Sequence, residues 1–168
     1  INMKKSIYIL AFVIVSVIIG CETSEPKPAE LVGKHTFELL QKMQTISQAD
    51  FNKHFISLEE LRVFAKDTAI EETFRNAVTK VSQETHDKKL QQAYEMIKES
   101  GERNSIDWKT ITFKEYVYQT RADSGILFHD GYVVFVNDEK EYVAKIISFA
   151  VNGKQRLYSL ANFEPVRK

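Results

Sequence analysis

Cys21 is the one cysteine in this 168-residue chain, and its thiol is the most reactive group the sequence offers. A lone cysteine cannot close an intramolecular disulfide, and it excludes Cys-x-x-Cys metal or redox sites. It follows the apolar run Ile7–Ile19 and Gly20, which has nothing to pack against. An acceptor thiol fits that setting better than a buried core side chain. The four histidines, His35, His54, His86 and His129, stand far apart, and no pair has metal-ligand spacing. There is no His-Glu-x-x-His, no Gly-x-Gly-x-x-Gly, no phosphate loop and no Gly-x-Ser-x-Gly. The sequence therefore leads us to expect no metal, no cofactor and no assignable catalytic residue.

The best remaining pair is His129-Asp130, which could serve acid–base chemistry at a pocket mouth. Neighbours on a regular strand face opposite sides, however, and cannot hydrogen-bond as a dyad. Glu59-Glu60 and Glu71-Glu72 have the composition of paired glycosidase carboxylates. They also fall in first helical turns, where the helix dipole favours acids, and that is the reading adopted. Tyr116, Tyr118, Tyr132, Tyr142, Tyr158 and Trp108 place amphipathic aromatics in the C-terminal half. Such side chains suit ligand or partner contact, and Trp108, Tyr116, Tyr118 and His129 are the candidate ligand-binding residues.

Charge narrows the partners. The chain carries 23 basic and 23 acidic side chains. Lys4 and Lys5 are the only charges before Cys21, so the remainder holds 21 basic and 23 acidic residues. Phosphate binding wants a clustered positive field, and nucleic acid is not expected.

Met3-Lys4-Lys5, the apolar run and Gly20-Cys21 are the parts of an export signal starting at Met3. The run is shorter than the roughly 18–20 residues a membrane-spanning helix needs. Ile18-Ile19-Gly20-Cys21 resembles the lipobox of bacterial lipoproteins. That resemblance implies removal of residues 1–20 by cleavage after Gly20, diacylglyceryl attachment to the Cys21 thiol and acylation of the new amine. Residues 21–30 then form the lipidated cysteine and a flexible tether, with two of the three prolines in Glu22–Glu30. The expected location is the bacterial cell envelope, held to the membrane through the lipid on Cys21. By resemblance to lipoprotein sorting rules, the absence of Asp at position 22 favours the outer membrane where the cell has one.

Residues 31–168 read as a single α+β domain. From about 31 to 101 apolar residues recur at helical spacing. Leu39, Leu40, Met43 and Ile46 make one stripe, and Ser47–Asp50 opens a short helix bearing Phe51 and Phe55. Ser57-Leu58-Glu59-Glu60 has the form of a capping box, and Thr68 with Glu71 repeats the signal ahead of Phe74, Ala77, Val78 and Val81. The polar stretch Ser82–Lys89 predicts a helix break near His86-Asp87, and Gly101 a stop. All these apolar faces are expected to be core.

After Gly101 the composition turns β-branched and aromatic with period-2 stretches. Asn152-Gly153 predicts a two-residue hairpin turn, and Asn137–Lys140 a second. The first strand, about Thr110–Arg121, changes phase between Phe113 and Tyr116, which predicts a β-bulge near Lys114-Glu115. Gly125–Val136 is either one long strand or two broken at His129-Asp130-Gly131. The result is a set of N-terminal helices packed on one face of a C-terminal four-stranded antiparallel meander. This element order resembles envelope lipoproteins with a cystatin-like or nuclear-transport-factor-2-like domain, although no strand separates the early helices from the later ones. That fold hosts enzymes, binders and assembly parts alike; the anchor, the tether and the lack of a catalytic constellation lead us to expect a non-enzymatic module that binds a protein partner or a small apolar ligand. Its alternative is a small hydrolase or isomerase using His129, Asp130 or a tyrosine.

Overall fold

The structure is a computed structural model that describes residues 28–166. Five helices precede four strands in these residues: α1 (Pro28–Gln41), α2 (Gln48–Asn52), α3 (Leu58–Phe64), α4 (Glu72–Lys80), α5 (Gln83–Arg103), β1 (Thr112–Asp123), β2 (Ile126–Asn137), β3 (Lys140–Val151) and β4 (Lys154–Pro165). The strands form one antiparallel sheet in the order β1-β2-β3-β4. The α+β class and the four-stranded meander are thus those expected from the sequence, with the helices N-terminal to the sheet and packed on it. The signal segment and Cys21 lie outside the described residues.

Local chemistry explains most boundaries. Ser57 caps α3 by accepting from the Glu60 amide, while the Glu60 carboxylate accepts from the Ser57 amide at 2.8 Å. Partial burial works against that carboxylate, but Ser57 and Arg156 hold its pKa below the ordinary range. The three hairpins use turns with positive φ at both central residues: Ser124-Gly125, Asp138-Glu139 and Asn152-Gly153. That geometry suits the twist of two-residue hairpins. The register of β1 on β2 shifts between Phe113 and Glu115, which is the expected bulge. Phe113, Tyr116 and Tyr118 consequently share a face.

Several expectations are corrected. Pro28 opens α1, where its missing N–H costs nothing, so the last three residues of the expected tether are helical. Thr68 and Glu71 make no capping box, because α4 starts at Glu72 without a side-chain cap hydrogen bond. The helix break lies at Val81-Ser82, not His86-Asp87: the Ser82 hydroxyl caps α5 by accepting from the Thr85 amide. Gly101 does not stop α5. It lies two residues inside the end, where the Trp108 ring occupies the space a side chain would need. β2 runs unbroken through His129-Asp130-Gly131, and β4 runs from Lys154 to Pro165.

Two apolar clusters hold the fold. The larger joins α1, α2 and α5 to the sheet through Leu39, Leu40, Ile97, Val133, Phe135 and Phe163. The smaller lies at the end of the sheet that carries the β1–β2 and β3–β4 turns, and contains Ile56, Leu61, Ile70, Val78, Phe128 and Phe149. Phe128 pairs with Phe149 and Val133 with Ala144 in one unshifted register. Since alternate residues face opposite ways, the two clusters use opposite phases of β2. The chain reaches the second cluster around the β4 edge, where the Ile56 amide donates to Leu157 O at 2.8 Å. From there α3 leads to the β1–β2 turn, where the Glu71 amide donates to Ser124 O at 3.0 Å.

Candidate functional site

The four aromatic and histidine candidates divide. Trp108 is a core residue: its ring sits edge-on to Phe163 at 5.5 Å, near Phe135, over Gly101. The sheet brings the other three together. Tyr116 stacks on Tyr118 at 5.3 Å, and Tyr118 meets the His129 ring edge-to-face at the same distance.

Tyr116 is held from both sides. Any side chain at Gly33 of α1 or Gly131 of β2 would overlap its ring. Burial pushes its phenol up to about 12, against the opposing effect of the Ser148 hydroxyl. A phenol that stays protonated to that pH is poorly matched to general-base work near neutrality. His129 Nδ1 lies 3.1 Å from Thr120 Oγ1, and burial lowers its pKa. Asp130 turns to the other face and accepts from Arg121 Nε at 2.9 Å. Arg121 is shared with Asp123 at 2.6 Å. His129 and Asp130 therefore do not form a dyad. Tyr116 packs α1 against the sheet.

A different place is concave and largely apolar. Three short apolar helix faces converge without closing, leaving a cleft of about 250 Å³. Leu58 and Leu61 line it from α3, Phe74, Ala77 and Val78 from α4, Val81 from the junction after α4, and Thr85, His86, Lys89 and Leu90 from α5. Ile56 and Tyr158 complete it from the β4 side. The Arg62 guanidinium donates to Val81 O at 3.0 Å, tying α3 to the end of α4. His86 Nε2 lies 3.2 Å from Ile56 O. A carbonyl can only accept, so that nitrogen carries the proton, which fixes α5 to the chain passing the β4 edge.

The cleft is graded from base to rim. Ile56, Leu58, Leu61 and Val78 are buried, whereas Ala77, Thr85 and Lys89 are exposed. The Lys89 ammonium lies 4.3 Å from the Tyr158 ring centroid, a cation–π contact. No carboxylate lines the cleft. Water held there would face mostly hydrocarbon, so displacing it by an apolar group is favourable.

These helix faces read as core in the sequence, and Leu61, Val78 and Leu90 are indeed buried. The available signal was the small Ala77 in the middle of the α4 stripe, but only the angle between α3, α4 and α5 turns it into a gap. A second hollow, of about 230 Å³ between α1 and β4, is polar: His35, His54 and Arg156 reach it beside Glu38. Burial first, then Lys42, His35 and Arg156, depress the His54 pKa. No known family model, curated protein or solved structure matches this chain.

Proposed function

We propose that the chain is a membrane-tethered, non-enzymatic binding module. In this reading, acylation of Cys21 anchors it in the bacterial envelope, and the residues between Cys21 and Pro28 space it from the membrane. The cleft between α3, α4, α5 and β4 takes a small apolar ligand. Two or more acyl chains suffice for stable anchoring, since one alone binds only marginally.

The observation that carries the binding reading is the cleft itself, an apolar concavity with a few polar groups at its rim, which is the usual form of a small-ligand site. The test is photo-crosslinking of the matured chain in lipid nanodiscs with a short, uncharged hydrocarbon diazirine, mapped by mass spectrometry. Label is expected to concentrate between Phe74 and Leu90 and to fall at least tenfold in Ala77→Trp, whose indole fills the gap. Label spread evenly over the surface, or unchanged by Ala77→Trp in a variant with native melting, would sink the reading.

A further inference from the structure

We infer that the ligand of this cleft is a free medium-chain fatty carboxylate, with its tail on the buried base and its head on Lys89. The inference rests on the cleft being the binding site and adds the class of ligand. Three observations on the lining point to it.

The first is charge. Lys89 is the one formally charged side chain lining the cleft, and no carboxylate lines it. Lys89 also has no acidic partner elsewhere among the described residues. Its helical neighbours at i−4, i−3, i+3 and i+4 are Thr85, His86, Gln92 and Ala93, so α5 offers no local counter-charge of the usual kind. The ammonium instead lies over the Tyr158 ring. An arriving carboxylate gains a charge-assisted hydrogen bond there without breaking an ion pair.

The second is placement. Thr85, one turn before Lys89, shares its face and lines the cleft, and its hydroxyl is engaged only with the Ser82 side chain. Thr85 and Lys89 together mark an exposed polar rim, and the base formed by Ile56, Leu61 and Val78 is buried. A ligand with one anionic end and one apolar end matches that gradient. A neutral hydrocarbon leaves the rim unused, and a dianion lacks a second cation.

The third is size. A cleft of about 250 Å³ limits the length of chain it can bury. One short chain fits, whereas the two long chains of a phospholipid do not. Each methylene buried is worth about a fourfold gain in affinity, so chain length is a sensitive readout up to that limit.

The experiment uses the matured full chain in nanodiscs, with carboxyl-labelled decanoate followed by NMR and empty nanodiscs subtracted. Decanol, butyrate and a short-chain phosphatidylcholine serve as comparison ligands. Decanoate is expected to bind at least tenfold more tightly than decanol or butyrate. Lys89→Glu and the milder Lys89→Gln should each weaken decanoate binding severalfold or more and leave decanol binding unchanged. Equal binding of decanoate and decanol, or indifference to both Lys89 variants, overturns the carboxylate and leaves the apolar cleft standing. Preferential binding of the phosphatidylcholine overturns the free acid in favour of membrane lipid. No binding by any ligand, together with diffuse photolabelling, overturns both the ligand class and the cleft.

Discussion

Phe135→Ala should lower the stability of the domain by roughly 3–5 kcal/mol, the usual range for removing a buried phenyl ring. Phe135 is fully buried and central to the larger cluster. It stacks on Tyr142 at 5.5 Å, meets Phe163 edge-on at 5.4 Å and approaches Trp108 at 6.5 Å. Truncation leaves a cavity bordered by rings from β3, β4 and the loop after α5, none of which can move without losing its own contacts. With a whole domain stable by only about 5–15 kcal/mol, the variant sits near the edge of folding. Urea unfolding of wild type and variant measures this, with Phe135→Leu as the milder member of the pair. A loss below 1 kcal/mol for the alanine variant would contradict the assignment of this cluster as the centre of the fold.

Gly131→Ala is expected to cost about 1–3 kcal/mol, although it adds only one methyl group to a strand interior. In most strands the same change is neutral or favourable, because glycine packs nothing and loses more entropy on folding. Here the added carbon overlaps the outer half of the Tyr116 ring, and the ring cannot swing away because Gly33 of α1 closes on its other side. The methyl must therefore push α1 off the sheet, which is overpacking in the ordinary sense. A double-mutant cycle separates this from a generic strand effect. Combined with Tyr116→Val, Gly131→Ala should become nearly neutral, giving a coupling of at least about 1 kcal/mol. Additive losses in that cycle would remove the steric explanation and release Tyr116 as a candidate for ligand contact.

Both predictions rest on placements that the sequence discloses unevenly. Period-2 runs, the Asn152-Gly153 dipeptide and the Ser57–Glu60 capping box are local signals, and each reappears in the structure where local chemistry puts it. The Lys114 bulge was readable for the same reason, since a phase slip within one strand needs no partner to be seen. Boundaries set by distant contacts were not. Gly101 reads as a helix stop until Trp108 is found lying on it. The His86-Asp87 break is displaced to Ser82 because capping at Ser82 and the His86 contact to Ile56 O both favour an earlier helix start.

The candidate site follows the same division. Tyr116, Tyr118 and His129 could be picked as amphipathic residues on a strand, and the register does bring them together. The structural role of Tyr116 depends on Gly33, far away in α1, which no local pattern reveals. The cleft was invisible for the opposite reason. Leu61, Phe74, Val78 and Leu90 are apolar at helical spacing and look like core on every turn. Whether three such faces meet or leave a gap is set by how short helices cross, and Ala77 is the only hint of it in the chain.

The most direct test of the membrane-tethered binding module is native mass spectrometry of the full-length chain, expressed in a bacterial host and released from its membranes in mild detergent. The account predicts a covalent mass for a chain beginning at Cys21 with a diacylglyceryl group and a further acyl chain, plus a discrete non-covalent adduct lost on denaturing extraction. A Cys21→Ser chain should lack the covalent lipid. A wild-type chain that keeps its first 20 residues, carries no lipid and holds no adduct would contradict both halves of the account.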